Sequence, residues 1–396
     1  MTTPASTTTN KAWAYLGRVI EGPSRDLQAL LAAGRTAEEI AHGVRTRATW
    51  IGRLANATES RYAWDRPAED LETAHNAGYS LLTPESPGWP SEQLRFAFGN
   101  YRMREESGEV SDANRPNAVA PHVLWVKGAT DLAGLCAQSV AFVGTRAISD
   151  YGRVATSELV HGLAKQHYSI VSGGALGVDT IAHEAALAAC VPTIAVAACG
   201  PGVTYPKRNH GLFERIADNG GALITEYPPG MTPDRHRFLT RNRLVAALTQ
   251  GSVIVEAAFR SGALNTLSWA NDFGRVTMAV PGPITGPGSM GTNLAIRDAR
   301  AAMVLSANHI HELLSPIGTV DSDAQIELDF AGDLIQSLSR NELRVYDSLP
   351  QKDYGGSTAE AVAARAGLTI GLTVHLLVDL SKRGIVTREA EVWKRT

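Results

Sequence analysis

SVAFVGTRAISDYGRVATSELVHGLAKQHYSIVSGGALGVDTIAHEAALAA, residues 139–189, is the stretch from which the fold is read. The run SVAFV stops at a glycine turn, which is the length and texture of a strand buried on both faces. SELVHGLAKQHY then carries apolar residues at helical spacing, and SIVSGGALGVDTIAHEAALAA repeats strand, glycine loop and helix. Outward from there, TIAVAACG, GALITEYP, SVIVEAA and VTMAVPG supply further strand runs. Short apolar strands alternating with helices predict an α/β protein with an extended, Rossmann-like, mostly parallel sheet and helices on both faces. Ligands of such a sheet sit beyond the carboxyl ends of its strands.

The flanks read differently. Residues 1–10 form a polar tail expected to be disordered, and 11–76 read as short helices in a small N-terminal helical domain, with Gly34 and Gly43 as helix stops. The Gly22-Pro23 pair predicts a tight turn between two of them. The sheet domain is expected over 78–315, with Arg102 to Pro121 as an inserted loop because it is polar and without periodicity. An acidic linker, 316–329, leads to a module at 330–396 whose three helices and terminal hairpin predict a winged-helix-like domain.

Composition narrows the partners. With 37 basic and 40 acidic side chains the net charge is -3, so a polyanion site requires local clustering of cations. Cys136, Cys190 and Cys199 have no paired metal spacing and suit a reducing compartment. No export signal is visible and no apolar run reaches bilayer length, so a cytoplasmic protein without membrane contact is expected.

Four loops following strands combine glycine, hydroxyl and cation. Gly144, Thr145 and Arg146, with Ser149, Tyr151 and Gly152 opening the next helix, offer backbone donors and a forked guanidinium. Ser172, Gly173, Gly174 and Gly177 form a candidate phosphate nest, with Asp179 assigned to capping or to orienting an arginine. YPKRN brings Lys207 and Asn209. DRHRFLTRNRLVAAL places Phe238, Arg241, Asn242 and Arg243 close to a predicted helix start, with four arginines and no acid between Arg235 and Arg243. Ser261 and Gly262, and further on Asn293, add neutral donors suited to sugar–phosphate oxygens. Phe238, Tyr205 and Tyr151 are candidates for stacking on unpaired bases. Neither Arg146 nor Arg241 is expected in the apolar core. Together these residues predict a reader of the single-stranded DNA backbone.

The ordered set GTRAISDYG, SGGALGVDTIAH, YPKRN, ITEYPPG, FLTRNR, EAAFRSGALNT, VPG and GTN, covering roughly 141–298, resembles the DprA/Smf family of bacterial DNA-processing proteins. The resemblance implies a protein that protects single strands entering the cell in natural transformation and loads RecA recombinase onto them. It also implies a dimerising Rossmann-like domain, an N-terminal fold like a sterile alpha motif, and a C-terminal winged helix. The family's motifs fall on Arg146, on Ser172 to Asp179, on Arg241 to Arg243 and, after the Tyr-Pro pair, on Lys207. One departure stands out: the family's Phe-Pro is here Phe238-Leu239, which predicts a looser turn ahead of the arginines. A homodimer is expected, partly because the sheet is larger than one mononucleotide fold requires.

Two other readings compete. Phosphoribohydrolases of related fold carry PGGxGTxxE, and neither SGGALGVD nor SGALNT has that glutamate, so no catalytic residue is assigned. GxGxxG does not occur in the Gly144 loop or the Gly173 loop and GxxxxGK[ST] is absent, so neither cofactor nor metal is expected. A winged-helix regulator is the other alternative. Its candidate recognition helix offers only Thr369, Thr373 and His375, and 330–396 holds nine basic and eight acidic residues, too balanced for strong duplex binding.

Overall fold

The computed structural model describes residues 7–111, 115–315, 338–350 and 355–396, and the chain divides into two compact units, Met1–Val320 and Asp321–Thr396. In the first unit lie β1 (Tyr79–Leu82), β2 (Leu124–Gly128), β3 (Ser139–Val143), β4 (Ser169–Ser172), β5 (Thr193–Val196), β6 (Ala222–Thr225), β7 (Gly251–Ile254), β8 (Val276–Ala279) and β9 (Ala302–Met303). They form one sheet in the order β1-β2-β6-β5-β4-β3-β7-β8-β9. Every pairing from β6 across to β9 is parallel, while β1–β2 and β2–β6 are antiparallel.

Side chains alternate across this sheet, as the strand period requires. Val140 and Phe142 enter one core with Ile170, Val253 and residues of helices Asp150–Ala164 and Val178–Ala188. Ala141 and Val143 enter the other with Val171, Ile194 and residues of helices Arg235–Ala247 and Ala263–Asp272. Both faces are therefore covered, and the core is Rossmann-like. From β3 the chain steps to β4 on one side, while β7 pairs on the other. The strand order reverses there, and that is where such sheets open a crevice.

The N-terminal helices differ from their sequence reading. The first, Thr7–Ile20, begins inside the stretch expected to be a disordered tail. Its Trp13 and Leu16 pack with Ile40 and with Val123 at the start of β2, while Ala14 and Ala74 pack on Trp125. These helices share the sheet's compact unit because β2 gives them a surface to bury. Gly43 does not stop a helix: it lies inside Ala37–Thr46, where an added Cβ would meet Trp50 at 2.5 Å. Arg102 to Glu106 belong to helix Ser91–Glu106, and Ala118 and Val119 are buried, so the stretch expected to be an inserted loop starts in a helix and ends in packed chain. The linker assigned to 316–329 lies outside the described residues.

Two buried histidines make stability depend on pH. His122 and His183 are pushed down to about 3, chiefly by burial and further by the charges of Arg243 and Arg241 respectively. Unfolded, each titrates near ~6.5. Between those values the unfolded chain holds one more proton per histidine. Their contribution is therefore complete above about pH 6.5 and lost as pH falls, by roughly 1.4 kcal/mol per pH unit each. Buried carboxyls raised by desolvation, Asp179 and Glu226, act with the opposite sign. The melting temperature of His122→Gln or His183→Gln is expected to fall less steeply than that of the unaltered protein between pH 6.5 and 5; parallel profiles would contradict this.

The second unit contains helices Arg340–Asp347, Ala359–Ala366 and Ile370–Lys382, then an antiparallel hairpin of β10 (Val386–Glu389) and β11 (Val392–Arg395). Val345, Val362, Leu377, Leu380 and Trp393 form its core. Among the described residues no single helix is long and apolar enough to cross a membrane.

Candidate nucleic-acid interface

A cleft of about 790 Å³ opens beyond the carboxyl ends of β3, β4, β6 and β7. Gly144 to Arg146, Gly173, Tyr205, Phe238, Arg241, Asn242, Ser261 and Gly262 all line it, so ten of the residues picked from sequence meet in one place. Arg235, Arg260 and Asn265 line it as well, although sequence reasoning did not assign them. Four arginines and two carboxylates, Asp179 and Asp234, make the lining electropositive.

Both carboxylates are occupied. Asp234 caps helix Arg235–Ala247 by accepting from His236 N and Arg237 N. Asp179 accepts from Gly173 N at 3.1 Å and Ala175 N at 3.2 Å, and burial raises its pKa against the pull of Arg241. The first contact corrects the phosphate-nest reading at Gly173, whose amide already holds an internal carboxylate. Ser172 is likewise structural, with its buried hydroxyl donating to Phe142 O at 2.6 Å. Gly174, at φ 69°, and Gly177, at φ 87°, shape the turn without lining the cleft.

The two arginines of the RNR run have opposite fates. Arg243 is fully buried, and its Nη1 and Nη2 donate to Glu226 Oε1 at 3.0 Å and Oε2 at 2.6 Å, while Nε donates to Asn117 O. It is a core ion pair, not a DNA contact. Arg241 is also buried, 5% exposed, which corrects the expectation that it lies outside the core. Its Nε has no hydrogen-bond partner, and among the described residues no carboxylate stands within ion-pairing distance. Burial pulls its pKa down, with Asp179 opposing. The result is a desolvated cation at the wall of a cleft, short of acceptors, and an anion entering the cleft would supply them.

These arginines do not stand at the helix start, as expected. The helix begins at Arg235 and runs through Leu239, the residue in place of proline, so the run ahead of the arginines is regular helix and not a loosened turn. Arg146 is exposed, with its guanidinium 5.5 Å from the Phe238 ring centre, and Phe238 in turn lies 5.3 Å from Tyr205.

The remaining candidates do not join the cleft. Ser149 caps its helix through Gly152 N and its hydroxyl donates to Glu256 Oε1, against which Gly152 packs closely. Tyr151 donates to Pro281 O. Asn209 is buried and donates to Gly174 O and Thr180 Oγ1. Asn293 pairs with both backbone groups of Gly282. Lys207 is exposed but outside the lining. Ser149, Asn209 and Asn293 thus keep loops in shape through the side-chain groups that were expected to meet DNA, whereas Tyr151 uses its hydroxyl and not the ring face expected to stack. Among the described residues no cluster of His, Cys, Asp or Glu is placed to hold a metal.

Residues 108–315, which include every part of this cleft, match the family model for DNA recombination-mediator protein A. The chain belongs to the DprA/Smf family. A DprA-named protein of Mycobacterium tuberculosis is 39% identical over 387 residues, covering 98% of this chain and 94% of that one. DNA processing protein DprA of Streptococcus pneumoniae is 40% identical over 191 residues, covering 48% of this chain and 66% of the relative. A solved structure of DNA processing protein A from Streptococcus pneumoniae superposes with a TM-score of 0.61 at 27% identity, covering 78% of this chain and 99% of that one. The family model thus covers the cleft and the sheet from β2 to β9, and the Mycobacterium relative extends the similarity over nearly the whole chain.

Proposed function

We propose that this DprA/Smf chain binds single-stranded DNA by its backbone in the cleft beyond β3, β4, β6 and β7, and that it acts in DNA processing and natural transformation. The observation that carries the reading is Arg241, a buried guanidinium lining the cleft with no ion-pair partner among the described residues. Arg146, Arg235 and Arg260 add exposed cations around it, and Ser261 adds a neutral donor. Phe238 and Tyr205 supply aromatic faces that suit unpaired bases of any identity. The reading requires the strand to be held rather than cleaved. It includes protection of the bound strand and, from the family resemblance, its presentation to RecA by a homodimer. Two clefts on a symmetric dimer engage one strand more tightly than one, since the second contact is intramolecular.

The test is competition between labelled oligo-dT and duplex of equal length. The strand is expected to win, with affinity falling as salt rises because phosphate contacts release counterions. Duplex binding as tight as single-strand binding would overturn the proposal. Light scattering with and without oligonucleotide tests the dimer, which a strict monomer of undiminished affinity would contradict.

A further inference from the structure

The turn that carries Arg146 is held from outside the cleft. Arg146 itself is exposed, and its guanidinium rests 5.5 Å from the Phe238 ring centre. An exposed cation–ring contact is weak, so where the guanidinium stands depends on the backbone of its loop.

That backbone is pinned on both sides of Arg146 by one residue. Glu256, just beyond β7, accepts at its main-chain oxygen from Thr145 N at 2.7 Å. Its side chain accepts at Oε2 from Ser149 N at 3.0 Å and at Oε1 from Ser149 Oγ at 2.5 Å. The same hydroxyl accepts from Gly152 N at 3.0 Å, so the carboxylate also orients the cap of helix Asp150–Ala164. Glu256 is 4% exposed, and a Cβ on Gly152 would fall 2.2 Å from its Oε2, which marks how closely the carboxylate is enclosed. Glu256 lies outside the cleft lining, yet it begins the segment that leads to Arg260 and Ser261, which line it. The loops after β3 and β7 are thereby tied together. A carboxylate beside a site for phosphates repels the strand by charge, so its use there lies in its hydrogen bonds.

Resting on the single-strand reading above, we infer that Glu256 is a positioning residue for strand binding, clamping Thr145 and Ser149 so that Arg146 between them meets a phosphate. It acts through hydrogen bonds and against the sign of its own charge.

Two neutral variants separate the clamp from the charge. Glu256→Met is unbranched, similar in length and offers Ser149 no comparable acceptor. Glu256→Gln keeps an acceptor for Ser149 N and a donor for the Ser149 hydroxyl oxygen. Affinity for labelled oligo-dT, per folded molecule, is expected to fall about tenfold in Glu256→Met and to stay within about threefold of the parent in Glu256→Gln. The slope of log affinity against log salt is expected to flatten by about 0.7 in Glu256→Met, the amount for one phosphate contact on a single strand. In an Arg146→Ala background Glu256→Met is expected to add nothing, because the contact it supports is already gone. Glu256→Met binding as tightly as the parent, or tighter, would overturn the inference. So would a loss shared equally by both variants, or one that persists undiminished in Arg146→Ala. Should Glu256→Met fail to fold, Ser149→Ala takes its place, since it removes one contact of the clamp and keeps Glu256. A loss that disappears in the Arg146→Ala background then supports the clamp, and no loss, or one that persists there, overturns it. Failure of the unaltered protein to bind oligo-dT at all would instead sink the single-strand reading, and this inference with it.

Discussion

Arg241→Met is expected to weaken single-strand binding about a hundredfold while leaving the melting temperature unchanged or raised. Truncating one partner of a desolvated charge pair typically costs ~2–5 kcal/mol of binding, and a hundredfold loss is about 2.7 kcal/mol. In the free protein the guanidinium has been taken out of water without an ion-pair partner, so an apolar side chain of similar length removes a cost. Charge reversal is the wrong experiment here, because a new carboxylate would face Asp179. Gly173→Ala probes the same contact from the other side, since its Cβ would fall 1.7 Å from Arg241 Nη1 and force the guanidinium away. Fluorescence anisotropy with labelled oligo-dT and a thermal melt check both variants. If Arg241→Met melted early yet bound normally, Arg241 would be structural.

Arg243→Met should do the reverse. Glu226 would remain 2% exposed with its carboxylate stripped of both donors, and Asn117 O would lose the Nε contact. Breaking a buried pair by removing one partner costs roughly 3–5 kcal/mol. Denaturant unfolding is expected to show that loss, with strand affinity per folded molecule unchanged. Arg243→Met/Glu226→Leu should recover much of the stability, because no unpaired charge is left behind. A single variant as stable as the parent would show that the pair contributes little.

These neighbours, two positions apart, mark the limit of what sequence carries here. The strands were legible because buried parallel strands leave near-continuous apolar runs bounded by glycine, and the cleft's location followed from the sheet. The loops that meet there were legible too, each being a glycine turn after a strand. What the sequence does not record is which polar atoms are already used. Asp179 lies six residues from Gly173 and takes its amide; Glu226, just after β6, takes Arg243 on the next helix. Asn293, Asn209 and Ser172 look like free donors in the sequence and are spent on backbone groups. Arg260 and Asn265 were within a quoted loop, and helical spacing from Ser261 would have offered Asn265 as its neighbour. The N-terminal helix was shortened in the reading because TTTN is polar, yet the helix is anchored by Trp13 and Leu16 further along.

Where the strand lies is the central claim, and photocrosslinking tests it most directly. An oligonucleotide carrying 5-bromouracil in place of thymine would be irradiated with the full chain, and the adducts mapped by mass spectrometry. The account predicts adducts on Phe238 or Tyr205, the aromatic residues lining the cleft, and their loss in Arg241→Met at matched strand concentration. Adducts confined to residues 338–396 or to the helices before residue 77, with the cleft peptides unmodified, would contradict it.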